Sequence, residues 1–241
     1  MSRETKIMKN IEQILIKSDQ TTIDLINKYY WKNNDIRISI FGKNTSILAT
    51  AFISTVCLER HMCPKDADMR WWKDLSSEEW WTELYLKDNY KIAIEQSIHS
   101  FQLLTKFGLI IYMTANTDSA FRLLIKAISP EACKNGDDSF CNIYKHLLKK
   151  LNLKNDISIY EMLRHLRNAM LHTDGVFQPL NKNDARVEYR SKAYEFIVGK
   201  SPHTPWELVI DLANDLTDSL IRIVNHPDVL KIKEIIDPQK K

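Results

Sequence analysis

The stretch IYEMLRHLRNAMLHTDG (159–175) carries the residues whose types and spacing best suit chemistry. On a helical wheel at ~100° per residue, Ile159, Met162, Leu163, Leu166 and Met170 share one stripe that must face a core. Arg164, His165, Asn168 and His172 fall on the opposite side, with Arg167 on the flank. Leu171 is an apolar side chain among these polar ones, as expected of a partner surface. His172 lies in the last turn before Gly175, where unpaired carbonyls favour an imidazolium. Such a histidine can give up a proton or bind a phosphate near neutral pH. Arg167 adds a permanently charged, forked phosphate ligand. An Arg–His pair without a carboxylate cluster suits cleavage of RNA by its own 2′-OH, a reaction that needs a proton shuttle and a cation on the strained phosphate but no metal. The plain alternative is an exposed helical Arg167 and a capping His172. Asn168 is then either the orienter of that pair or a surface residue, and Arg164 and His165 are either substrate contacts or ordinary surface side chains.

Geometry adds a condition. Arg167 and His172 are about 140° apart on an ideal helix, so one copy points them poorly at one phosphate. Two copies around a two-fold axis pool both pairs in one cleft, with Leu171 helping the contact.

Most other segments also read at helical period. Residues 4–18 place Ile7, Ile11, Ile14 and Leu15 on a stripe, and a second helix is expected over 20–31. ILATAFISTVCL (47–58) is apolar on all sides, hence a buried helix or strand. Residues 62–75 are irregular, and Ser76 with Glu79 makes a capping box ahead of Trp80, Trp81 and Leu84. Helices are expected over about 88–113, from Asn116–Thr117 to Ile128 before Pro130, and over 139–151. Ser158 with Glu161 forms a second capping box that opens the motif helix, and Gly175 ends it. VEYRSKAYEFIV (187–198) alternates enough for a short hairpin, and Trp206–Val224 is helical again. The final residues are expected to be loose. This divides the chain into an N-terminal helical region (1–85), a helical domain (86–228) and a tail (229–241).

Arg167-Asn168-Ala169-Met170-Leu171-His172 resembles the Arg-x4-His motif, with a polar residue after the Arg, of the HEPN superfamily (higher eukaryotes and prokaryotes nucleotide-binding). LRNAMLHTDGVF (166–177) resembles the Arg-Asn…His-x-x-Gly-aromatic string of several prokaryotic members, and TDSAFRLLIKAI (117–128) resembles the preceding bundle helix, with its acidic residue and Arg122. The resemblance covers about 116–225. It implies an all-α bundle that dimerises with the motif at the interface, here with an N-terminal extension and one small hairpin. It also implies a metal-independent endoribonuclease acting as a toxin or in antiphage defence, with RNA as substrate and an antitoxin or defence-complex partner. Arg167 and His172 take the catalytic positions and Asn168 the polar one. A non-catalytic HEPN-like module that binds a protein or nucleotide is the alternative, and a helical interaction protein outside the family is a third.

Composition agrees with a helical chain. With 5 Gly and 7 Pro in 241 residues, against about 29 at average usage, the special backbone positions of sandwiches, barrels and Gly-loop nucleotide folds are scarce. The net charge of +3 permits a nucleic-acid partner without arguing for one. The longest charge-free stretch, Asn44–Leu58, is shorter than the ~18–20 residues a membrane span needs. The N-terminus has no signal-peptide core, and the 4 Cys form no disulfide framework, so a cytoplasmic setting is expected. Cys57, His61 and Cys63 are partial zinc ligands by type, but Cys-x3-His-x-Cys is not a recognised knuckle; Cys133 or Cys141 could supply a fourth ligand though nothing requires it, and the cysteines read as buried thiols. No cofactor or metal is expected. The pairs Trp71–Trp72 and Trp80–Trp81 read as core or interface rather than base-stacking platforms. Lys145, Lys149, Lys150 and Lys154 form a basic ridge that becomes an RNA track if it borders the cleft.

Overall fold

A computed structural model describes residues 3–57, 90–133, 138–172, 175–179 and 182–239. Among these the chain is mostly helical: α1 (Arg3–Tyr29), α2 (Ile36–Cys57), α3 (Tyr90–Ile128), α4 (Phe140–Lys150), α5 (Ile157–His172), α6 (Trp206–Val224) and the short α7 (Pro227–Leu230). One antiparallel hairpin, β1 (Ala185–Tyr189) and β2 (Lys192–Phe196), follows α5. No described helix is long and apolar enough to cross a membrane. The irregular stretch 62–75, the capping box at Ser76 and the tryptophan pairs lie outside the described residues.

The two N-terminal helices expected over 4–18 and 20–31 are one helix, α1, whose Ile7, Ile11, Ile14 and Leu25 are buried. Thr21 and Thr22 do not cap a second helix; their hydroxyls donate to the carbonyls one turn back, of Lys17 and Ser18. The apolar run 47–58 belongs to α2 through Cys57 and is helical rather than extended. The same correction applies at Asn116 and Thr117, which lie inside α3 and are buried. Asn116 Nδ2 crosses to α2, donating to the Ile40 carbonyl at 2.9 Å and to Asn44 Oδ1 at 2.7 Å. Thr117 donates to the Met113 carbonyl. Ser158 also fails as a cap. A 3₁₀ turn over Lys154–Asp156 runs directly into α5 at Ile157, so Ser158 already lies inside the helix.

The C-terminal segment is pinned as far as Asp237, contrary to the expectation of a loose tail, and Lys240 and Lys241 lie outside the described residues. Arg37 is fully buried. It forms a bidentate pair with Asp35, at 2.9 and 2.7 Å, and donates to the carbonyls of Val229 and Ile232 at 3.0 and 2.8 Å. Trp31 covers the guanidinium at 3.8 Å. Asp35 also caps α2 by accepting the Arg37 backbone N–H. The last described residues bridge back to it: Ile36 N–H donates to the Ile235 carbonyl, Asp237 N–H to the Asn34 carbonyl, and Ser39 and Lys43 to the buried Asp237 carboxylate. Residues 3–57 therefore share one buried cluster with α5 and α6. The division after residue 85 lies outside the described residues, and the division after residue 228 falls within α7.

The buried charge predicts a sharp contrast. Asp35→Ala should destabilise the protein by ~3–5 kcal/mol, because it strands a buried guanidinium. Breaking the exposed Lys231–Asp228 pair should leave stability nearly unchanged. Urea unfolding of the two variants checks the contrast.

Candidate functional site

The wheel placed the core face of α5 correctly: Ile159, Met162, Leu163 and Leu166 are buried, and Met170 packs partly against them. Two polar clusters hold the helix in place. At its start, the buried Tyr160 hydroxyl meets Ser219 Oγ at 2.7 Å; Ser219 donates to Asp156, which Arg222 of α6 grips from 2.8 Å. At its side, the hairpin is fixed to α6 by Tyr189 and Arg190, both of which donate to Asp215. The hairpin turn, Arg190–Ser191, has both residues in the left-handed region at φ 48° and 59°, the geometry of a two-residue turn that suits strand twist. Gly175 closes α5 at φ +89°, with its N–H on the Ala169 carbonyl at 3.0 Å.

His165 departs from the placement on an exposed face. It is 7% exposed, stacked on Phe196 at 4.8 Å and tilted against Phe177 at 5.4 Å. Phe177, from the loop after α5, and Phe196 of the hairpin thus close over His165, which cannot serve as an RNA contact in this fold. Arg164 is also committed. It donates to Glu161 Oε2 at 2.7 Å and lies 2.7 Å from His165 Nε2. Because a guanidinium only donates, His165 Nε2 accepts and the ring is neutral with its proton on Nδ1. That Nδ1 is buried without a partner. Burial, and then the Arg164 charge, depress the His165 pKa to about 4.

Glu161 is therefore not a capping residue but the centre of a charge cluster: Lys145 of α4 reaches it at 2.6 Å from one side and Arg164 from the other. Burial alone would raise its pKa, but hydrogen bonds from Lys145 and Arg164 hold it down at about 2. The i, i+3 spacing of Glu161 and Arg164 was a legible signal for the pair; the contribution of Lys145 was not.

The motif residues behave differently. Arg37, Arg122, Arg164, Arg186, Arg190 and Arg222 all enter ion pairs. Arg167, half-buried, pairs with no carboxylate among the described residues, and its Nε is buried without a hydrogen-bond partner. Asn168 is half-buried next to it, and Leu171 is 44% exposed, as expected of a partner surface. His172 is the last residue of α5; its side chain lies outside the described residues. Arg122 pairs with Asp118 of its own helix at 2.9 Å and with Asp138 at 3.5 Å. Of the thiols, Cys141 is free and accepts a hydrogen bond from Tyr144. The side chains of Cys57, His61, Cys63 and Cys133 lie outside the described residues.

His165 makes stability depend on pH. Its folded pKa lies below the unfolded value, so the unfolded chain binds the extra proton between pH 6.5 and about 4. Stability should be fully present above pH 6.5 and fall as pH drops through this window, by a few kcal/mol at the acid end. Melting curves between pH 7 and 4.5, above the range where Glu161 protonates, should show this loss in the native protein and much less of it in His165→Phe. Comparison of the chain with protein-family models, with curated proteins and with solved structures finds no match in any of the three.

Proposed function

We propose that the protein is a metal-independent endoribonuclease of the HEPN type, working as a homodimer whose cleft forms where two copies of α5 meet. One observation carries this reading: Arg167 is the one arginine, among those whose side chains are described, that enters no ion pair, and it stands in the Arg-x4-His motif. Buried polar groups are as a rule hydrogen-bonded. An uncommitted guanidinium with a buried, partnerless Nε is matched to a ligand from outside the chain, and a phosphate is the natural complement of its fork. Leu171, exposed one residue before the end of α5, supplies an apolar contact for the second copy.

In the proposed reaction the ribose 2′-OH attacks the adjacent phosphorus while one His172 accepts its proton. The P–O5′ bond breaks, and the leaving 5′-oxygen takes a proton from the other His172. Arg167 balances the charge gathering on the non-bridging oxygens, and Asn168 orients Arg167 and His172. The products are a 2′,3′-cyclic phosphate and a 5′-OH. A toxin or antiphage role, held in check by an antitoxin or joined to a defence complex, is the biological setting that goes with this chemistry.

RNA should be cleaved in EDTA, and an all-2′-deoxy substrate should be inert. His172→Ala and Arg167→Ala should each lower the rate by about 10²–10⁴-fold, with melting temperatures close to the parent's. Abolition by EDTA, or full activity in both variants, would overturn the mechanism. A folded dimer without nuclease activity at any concentration would instead indicate the binding module. In sedimentation, Leu171→Asp should shift the dimer towards monomer and lower activity in step.

A further inference from the structure

The basic ridge on α4 splits into two parts. Lys150 stands apart from the groove that the other two border. Lys145 and Lys149, with Asn142 and His146, line a groove of about 270 Å³ whose apolar lining is Ile125, Ala132 and Ile143. Among the described residues lining it, every polar side chain can donate a hydrogen bond and none is a carboxylate. The groove also joins the motif helix. Lys145 belongs both to its wall and to the Glu161–Arg164 cluster. There one carboxylate serves two cations, so the cluster keeps a surplus positive charge, and Lys149 adds another beside it.

We infer that this groove binds the RNA strand through its phosphates and leads it to the end of α5. The inference deepens the ribonuclease reading and rests on it for the identity of the strand. Lys145 and Lys149 are successive turns of one helix, about 6 Å apart along its axis, a step comparable with that between neighbouring phosphates of a single strand. From Glu161 the face of α5 continues through Arg164 and Asn168 to position 172, about 16 Å further along the helix. Contacts of this kind position the chain without reading its sequence. The groove therefore sets affinity and salt dependence, and leaves base preference to other contacts.

The test measures binding of a single-stranded RNA to the full-length protein carrying His172→Ala, which keeps the RNA intact, over a series of salt concentrations. Lys149→Gln, at an exposed position, should weaken binding about fivefold or more at moderate salt and reduce the slope of log K against log[salt] by roughly 0.7. Adding His146→Gln should weaken it further. Lys9→Gln, an equal charge change on the exposed face of α1, is the control and should alter binding less than twofold. Equal effects of Lys149→Gln and Lys9→Gln, or no RNA binding at all, would overturn the groove. Uridine monophosphate provides a second arm: if it displaces RNA at equimolar phosphate, the site takes free phosphates and the track is wrong. The two proposals fail separately. Groove-dependent binding without cleavage by the parent protein sinks the nuclease and keeps the track, and cleavage with an unchanged salt slope does the reverse.

Discussion

A guanidinium can leave water only if its donors and its charge are met inside the protein. Arg37 is wholly buried, and the rest of the architecture is arranged around that demand. Asp35 supplies the charge and two acceptors; the carbonyls of Val229 and Ile232 supply the rest from nearly two hundred residues downstream. The chain end must come back to the start of α2 for this to happen. Ile235 and Asp237 then dock beside Asn34, Asp35 and Ser39. The N-terminal helices thus become part of the wall against which α6 packs, and α6 in turn holds α5 and the hairpin through Arg222 and Asp215. The position of the motif helix is inherited from a buried ion pair at the far end of the chain.

The same rule orders the motif helix itself. Glu161 is satisfied by Lys145 and Arg164, and Arg164 by Glu161 and the His165 ring, which packs between Phe177 and Phe196 with its Nδ1 left unpaired. These residues hold α5 against α4 and the hairpin. One turn further on the pattern stops, and Arg167 has no counter-charge among the described residues. Within one sixteen-residue helix the arginine that positions and the arginine that is left available are three residues apart.

Features set by local period were legible in the sequence. The buried stripe of α5, the extent of α4, α6, the stop at Pro130 and a hairpin, expected over 187–198 and found over 185–196, all follow from spacing and turn chemistry. Most of the misread features depend on partners distant in sequence. Asn116 looks like a helix start because its amide favours caps, but that amide is used between α3 and α2, 72 residues from Asn44. His165 reads as exposed on a wheel, because nothing within a helical turn shows that Phe177 and Phe196 will close over it. Ser158 and Glu161 fit a capping box by type and spacing, yet the 3₁₀ turn before them removes the free end that a cap would serve. Of the proposed site, Arg167, Asn168 and Leu171 come from the sequence alone, whereas the Lys145–Glu161 bridge needed the packing of α4 on α5.

The available arginine also explains why a second copy belongs in the proposed site. A buried donor with no acceptor costs about 1–3 kcal/mol, a cost that an isolated chain bears without return. A ligand or partner that supplies the missing acceptor recovers it as binding energy, so the unpaired state of Arg167 favours association. Helix geometry separates Arg167 from position 172 by about 140°, so one helix cannot aim both at a single phosphate. In the proposed dimer, a two-fold axis near the exposed Leu171 would bring position 172 of the second copy towards the arginine that its own helix leaves unaided. On this reading the monomer is built with an unmet electrostatic need, and meeting it requires the dimer and the strand together.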